Sequence, residues 1–244
     1  MNRFALTVLT AVTIGWGLTG CQSADPAMTR SILNALGGQG RGQLDSGTIV
    51  AGLKEALRIG TQNAVRTTSR EGGYLENPAI RIPLPERLQG MSDALRKAGF
   101  GAQVDRLERR MNLAAEKAAA EAAPVFADAL GDMTIADARG ILRGGETAAT
   151  EYFRDNTYSS LKERYMPIVS RQMEQLGLVR LYNDLQTRYN RIPFVPDVSV
   201  TLDDYVAEEA LDGLFHMLAR EETKIRENPA ARTTDLLRRV FGNR

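Results

Sequence analysis

The sequence predicts an all-α protein: a single multi-helix domain of about eight helices, with two short proline-containing extended segments. Three observations predict it. Apolar side chains recur at three- and four-residue spacing along most of the chain, as in Leu161, Tyr165, Ile168, Val169, Met173 and Leu176, the period of a half-buried helix. Alanines gather at positions 114–115 and 118–120, and alanine has the strongest intrinsic helix propensity. Start and stop residues punctuate the pattern at Ser46, Gly72-Gly73, Pro85, Thr134, Gly144-Gly145 and Asn228-Pro229, where caps and first-turn prolines belong. There is no repeat of fixed period and no sustained heptad pattern.

Asp45 or Ser46 caps a first helix that carries Val50, Leu53, Leu57 and Ala64 on one face. Glu71-Gly72-Gly73 ends it. Ile80, Ile82 and Leu84 then alternate with polar residues or proline through Asn77 to Pro85, so this segment is extended, and Pro83 confines any strand here to an edge. Pro85 opens a helix that runs to Lys97 and stops at Gly99. Residues 102–130 form a long helical stretch that Pro124 kinks or splits. Its alanines offer a smooth face for close packing against a neighbour. Thr134-x-x-Asp137 resembles a capping box and opens a short helix to Leu142. Helices follow over 146–156, 158–176 (disturbed by Pro167) and 178–190. Ile192-Pro193-Phe194-Val195-Pro196 is the second extended segment, able to pair with the first as a minimal sheet. Helices over about 202–226 and 230–241 complete the chain, with Asn228-Pro229 as cap and first-turn proline between them.

The N-terminus has a different composition. Arg3 precedes an uncharged, mostly apolar run from Phe4 to Thr19, the layout of a secretory signal. The run is shorter than the roughly 20 residues of a spanning helix, which disfavours the alternative of a retained signal anchor. Leu18-Thr19-Gly20-Cys21 resembles the lipobox of bacterial lipoproteins. That resemblance implies cleavage before Cys21 and lipid on its thiol, with a second acyl chain on its new amino group, and more than one chain is what stable anchoring requires. Gln22 in place of Asp implies the outer membrane rather than the inner one. The expected organisation is therefore a signal peptide over 1–20, a flexible Gly- and Ser-containing tether over 21–45 in which residues 28–36 allow a short helix, and a helical domain over 46–244. The expected location is periplasmic.

Composition narrows the function classes. The chain has one cysteine, and lipidation would consume it, leaving none for a disulfide, redox pair or thiolate metal site. The 31 basic and 30 acidic side chains balance, and removal of Arg3 with the signal brings the net side-chain charge to zero. Nucleic-acid binding, which requires a strongly basic footprint, is not expected. The only tryptophan is Trp16, inside the signal, so the mature chain would lack the aromatic platform common in sugar binding.

Several segments in order resemble a bacterial family known as domain of unknown function 4197: Gly52-Leu53-Lys54-Glu55-Ala56-Leu57, Ile82-Pro83-Leu84-Pro85, Asn112-Leu113-Ala114-Ala115-Glu116, Met133-Thr134-Ile135-Ala136-Asp137-Ala138, Ala148-Ala149-Thr150-Glu151-Tyr152-Phe153, Leu211-Asp212-Gly213-Leu214-Phe215 and Glu221-Glu222-Thr223-Lys224-Ile225-Arg226. The resemblance covers about residues 46 to 242. It implies an all-helical exported protein and supplies no catalytic residue.

The residues themselves offer little chemistry. His216 is the only histidine, and between Phe215 and Met217 it reads as structural. No metal, cofactor or catalytic residue is expected. Asp128, Asp132 and Asp137 lack the spacing of a calcium loop and read as helix-end residues. No Gly-x-Ser-x-Gly elbow presents a serine, and Gly37-Gly38-Gln39-Gly40-Arg41-Gly42 lacks the Lys-Ser/Thr ending of a phosphate loop. Glu222 and Arg226 stand four apart, in the favourable order for a helix ion pair. A plain salt bridge is the bland reading. The sharper one is a buried polar cluster lining a cleft, made of Glu116, Asp212, Glu222 and Arg226. Two functions follow as expectations. The first is a non-enzymatic binding or assembly module that is anchored through lipidated Cys21 and holds an envelope protein or an apolar ligand. The alternative is a carboxylate-dependent hydrolase or lyase acting on envelope material, which would need two close carboxylates in a cleft, one with a raised pKa.

Overall fold

The helical spacing closes into eight α-helices among the described residues. The computed structural model describes residues 46–196 and 200–232, with Thr234, Asp235 and Arg238. The expected signal, Cys21, the tether and half of the expected helix over 230–241 lie outside the described residues, and the described start of that helix is a 3₁₀ turn. The helices are α1 (Ser46–Ser69), α2 (Glu86–Lys97), α3 (Gly101–Ala119), α4 (Ala122–Asp132), α5 (Ile135–Arg143), α6 (Ala148–Gln175), α7 (Leu178–Tyr189) and α8 (Leu202–Glu227), followed by a 3₁₀ turn at Pro229–Ala231.

Helix α8 is the hub. It packs on α1, α3 and α6, and three consecutive residues, Gly213, Leu214 and Phe215, are buried on it. A helix buried on so broad a face must lie among its neighbours rather than on the surface. At Gly213 a Cβ would stand 2.7 Å from Cε1 of Tyr74, so only glycine lets the Tyr74 ring approach the α8 backbone. Phe126 of α4 sits between Phe153 of α6 and Phe215 of α8, with ring centroids 5.3 and 6.0 Å away in edge-to-face geometry, an arrangement the ring quadrupoles favour. The α3 alanines Ala114, Ala115, Ala118 and Ala119 are fully buried, and α3 packs on α1, α2, α6, α7 and α8. Their small side chains let several helices crowd one.

The expected break in 102–130 falls earlier than Pro124. Helix α3 ends at Ala119 and Pro124 is the third residue of α4. A proline ring collides with the carbonyl four residues back, here Ala120, so the helix must already have broken by that residue. In the first turn of α4 the missing proline N–H has no intrahelical acceptor to lose.

The two helices expected over 146–156 and 158–176 are one, α6, which runs through Pro167. Pro167 and Glu163, whose carbonyl loses its donor, are both exposed, on the face of the helix where solvent can serve such a carbonyl. Tyr165 and Val169 on either side are fully buried and hold both halves in line. The buried stripe Ala149, Phe153, Thr157, Leu161, Tyr165, Val169 and Met173 steps by four, which turns it by about 40° per step on a 3.6-residue helix. The face therefore winds round the helix, and α6 meets α3, α4, α5, α7 and α8 along its length. Gly177, at φ 62°, takes the left-handed conformation that separates α6 from α7.

The minimal sheet does not form: the described residues contain no strand. Only the second half of the first segment is extended: residues 78–80 form a turn in which the Ile80 and Arg81 N–H groups donate to the Asn77 carbonyl at 3.1 and 2.8 Å, although burial does alternate, with Ile80, Ile82 and Leu84 buried and Arg81 and Pro83 exposed. Its backbone is paired by a side chain instead. Asn112 of α3 accepts from the Ile82 N–H at 2.8 Å and donates to the Ile82 carbonyl at 2.8 Å, so one amide does the work of a neighbouring strand. The second segment is a turn rather than extended chain, with Phe194 at φ 62°.

Candidate functional site

Of the four residues expected to converge, the structure brings two together. Glu222 and Arg226 lie one turn apart on α8 and are 5% and 10% exposed at the side chain. Arg226 donates through Nε and Nη2 to Glu222 Oε1 at 2.9 and 2.8 Å. The same carboxylate reaches α6. Glu222 Oε1 accepts from the Ala149 N–H at 3.0 Å, and Oε2 accepts from the Thr150 N–H and hydroxyl, both at 2.8 Å.

These two amides belong to the first turn of α6, where backbone donors have no intrahelical acceptor. Thr147, the N-cap residue, makes no side-chain cap bond to them. Glu222 caps the helix from another element, and its charge matches the positive end of the α6 dipole. Arg226 does the converse for α5: its Nη2 donates to the Ile141 carbonyl at 3.0 Å, in the last turn of that helix, where a cation is favoured. The ion pair thus joins the end of α5 to the start of α6 and ties both to α8.

Glu116 has different partners. It is buried on α3, and its Oε1 accepts from the N–H groups of Tyr74 and Leu75 at 3.2 and 3.3 Å, in the turns that follow α1. The Tyr74 hydroxyl donates to the Ala210 carbonyl at 2.6 Å. Burial, with the charge of Glu116 beside it, pushes the Tyr74 phenol far up, so it remains a donor. Asp212 is exposed and pairs with Arg154 at 2.9 Å. Arg154 also lies over the Phe215 ring, 4.9 Å from its centroid, which packs the guanidinium onto an aromatic face.

The space beside Glu222 is small. A cavity of about 20 Å³ lies between Leu53, Leu57, Leu218 and Ile225, with Glu222 and Arg226 at its edge, room for about one water. An apolar recess of about 160 Å³ is lined by Met173, Leu178, Tyr182 and Leu202, below the roughly 300 Å³ at which ligand pockets begin. A recess of about 350 Å³ is lined by His216, Arg220, Thr223, Lys224 and Glu227 on the outer face of α8, a charged lining unlike an apolar ligand site. Among the described residues no group of three or more His, Cys, Asp or Glu side chains could hold a metal ion, and no helix is long and apolar enough to cross a membrane.

The sequence reading missed the partners rather than the pair. Spacing alone could not connect Glu222 to Ala149 and Thr150, or Asn112 to Ile82. A signal was present, however. Ala148-Ala149-Thr150, Ile82-Pro83, Asn112-to-Glu116 and Glu221-to-Arg226 are all segments that carry the family resemblance, and they meet pairwise in these contacts. Thr134 and Asp137 form the expected capping box, each bonding the other's backbone N–H. Those bonds hold the Asp137 carboxyl below its ordinary range. Burial first, and then the charges of Asp212 and Glu208, hold the Glu209 carboxyl above its ordinary range.

The family whose description reads protein of unknown function (DUF4197) matches residues 43–242. No curated protein and no solved structure matches the chain.

Proposed function

The chain belongs to the DUF4197 family, and for it we propose a lipid-anchored envelope protein whose helical domain is a rigid, non-enzymatic module for partner binding or assembly. The observation that carries this reading is the use made of the two buried carboxylates. Glu222 accepts five hydrogen bonds, two of them from the N–H groups that open α6. Glu116 accepts from two N–H groups of a turn. A general acid or base must hold a proton it can exchange with a substrate. Both are engaged by backbone donors, and Glu222 also by Arg226, beside a cavity with room for about one water. Of the recesses described above, the apolar one is small for an acyl chain and the larger one is lined by charge. Residue 46 opens a domain of buried joints, and the lipobox resemblance at Leu18-Thr19-Gly20-Cys21 supports a surface tether for it.

The carboxylate-enzyme reading keeps one foothold. Glu209, its pKa raised by burial and by the charges of Asp212 and Glu208, meets the demand for a raised acid but not, in any recess described above, the demand for a cleft. Glu209→Gln separates the two readings, because it removes that acid and leaves the helix joints intact.

Native mass spectrometry of the full chain, extracted from membranes in mild detergent, tests the proposal. A polypeptide that begins at Cys21, carries covalent lipid and loses no further small molecule on denaturation is the expected result. An unmodified chain that begins at Met1 would remove the anchor. A second mass, released on denaturation, would make the domain a carrier or a ligand-binding enzyme.

A further inference from the structure

Phe194 is fully exposed, at 106% of its reference area, more than any other large apolar side chain among the described residues. It is also the non-glycine residue among them with positive φ, at 62°. A bulky aromatic in the left-handed region is an outlier, and such strain persists where the surroundings over-determine it. Here they do. The Ile192 N–H donates to the Tyr189 carbonyl at 2.8 Å, and Ile192 and Val195 pack against the core. Beyond the loop the Val200 N–H donates to the Tyr182 hydroxyl at 3.2 Å. Pro193 and Pro196 remove backbone freedom on both sides. The apolar neighbours are turned inward and Phe194 is turned out. A single exposed apolar residue is ordinary; one held outward by a strained, braced backbone is not.

We propose that the loop 192–196 is a membrane-contacting finger, with Phe194 entering the boundary between headgroups and acyl chains of the bilayer that carries the Cys21 anchor. The proposal rests on the lipid-anchored reading above. Two observations favour lipid over a protein partner. One projecting side chain offers far less than the about 1,200 Å² of a stable protein interface. Arg191, three residues before it, is exposed and makes no ion pair among the described residues, which suits anionic headgroups. Burial of one phenylalanine alone gives only a roughly tenfold to hundredfold preference for the bilayer. An anchored chain experiences the bilayer at high effective concentration, and a weak contact is then populated. A flexible chain as long as residues 22–45 spans roughly 27 Å, enough to let a finger on the domain return to the surface.

The test places an indole at the tip. The full chain is produced with Trp16→Phe, so that no other tryptophan contributes, and with either Phe194→Trp or Ile135→Trp. Ile135, 54% exposed, is the control for nonspecific contact. Each is reconstituted into vesicles of phosphatidylethanolamine and phosphatidylglycerol with brominated acyl chains, its intact mass is recorded, and its melting temperature is checked against the parent. Lipid on Cys21 together with blue-shifted emission and several-fold stronger quenching at position 194 than at 135 is the expected result. Lipid with equal quenching at both positions, or with none, overturns the finger and leaves the anchor. An unlipidated chain quenched at position 194 on vesicle addition overturns the anchor and leaves the finger. No lipid and no quenching overturns both.

Discussion

Glu222 Oε2 lies 2.8 Å from the amide nitrogen of Thr150, 72 residues earlier in the chain. The contact makes a side chain of α8 the N-terminal cap of α6. Through Arg226 the same carboxylate is linked to the carbonyl of Ile141 that ends α5. Three helices are joined by one buried ion pair.

Removing one member should therefore cost more than an ordinary cap. Glu222→Ala leaves Arg226 buried without its counter-charge and two α6 amides without an acceptor, and is expected to destabilise the domain by about 3–5 kcal/mol. Glu222→Gln keeps an acceptor and should cost less. Urea unfolding of the single variants and of Glu222→Ala with Arg226→Met should give a coupling energy of about 1–3 kcal/mol. Additive losses would mean that the pair does not act as a unit.

Asn112 is the second joint. Asn112→Ala leaves the buried N–H and carbonyl of Ile82 unpaired, at about 1–3 kcal/mol for each group left unsatisfied. Asn112→Asp should be worse at neutral pH, because a carboxylate would face the Ile82 carbonyl, and should recover partly on acidification, once the side chain can donate again. Denaturation midpoints at two pH values check both.

Gly213→Ala should destabilise by about 1–3 kcal/mol through overpacking, since the added methyl meets the Tyr74 ring. Tyr74→Leu on that background should recover part of the loss relative to its effect alone. A double-mutant cycle in urea measures the compensation.

What was legible in the sequence was local. The period of the apolar residues gave the helices, and Thr134 and Asp137 gave their capping box, because each depends on neighbours within four positions. The split expected at Pro124 falls a few residues earlier, because the proline must sit in the first turn of the second helix, and the break expected near residue 157 does not occur, because the buried stripe runs on through one helix that tolerates the exposed Pro167. The expected sheet failed because a side chain, Asn112, paired the Ile82 backbone, a contact across 30 residues that periodicity cannot carry. Glu222 and Arg226 were found by their spacing. Glu116 was grouped with them for its alanine neighbours and Asp212 for sharing their helix, and their partners prove to be a turn after α1 and the surface residue Arg154.

The capping box predicts a pH dependence. Bonds from Thr134 lower the Asp137 pKa in the folded protein, so the stability it contributes is present above its unfolded pKa and is lost as pH falls through the folded value. Asp137→Asn should therefore be less stable than the parent at neutral pH, with the difference closing in acid below the ordinary carboxylate range. Thermal melts across pH check it. A difference that widens in acid would contradict the assignment.

Glu209 works in the opposite sense. Burial and neighbouring carboxylates raise its folded pKa, so its ionised form opposes folding above the unfolded value, and that cost disappears as pH falls. Glu209→Gln should leave neutral-pH stability unchanged or raise it by at most a few tenths of a kcal/mol, given screening by solvent. It should also leave the protein's role in cells intact. Loss of that role in a stably folded variant would favour the enzyme reading.

The central claim is that Glu222 is committed to the helix joint, and amide hydrogen exchange at Ala149 and Thr150 in the unmodified protein tests it most directly. Because these first-turn amides have Glu222 as their acceptor, they should exchange as slowly as interior amides of α6, through opening of the domain. Exchange as fast as that of exposed first-turn amides would show Glu222 free of the joint, and the account of its role would be wrong.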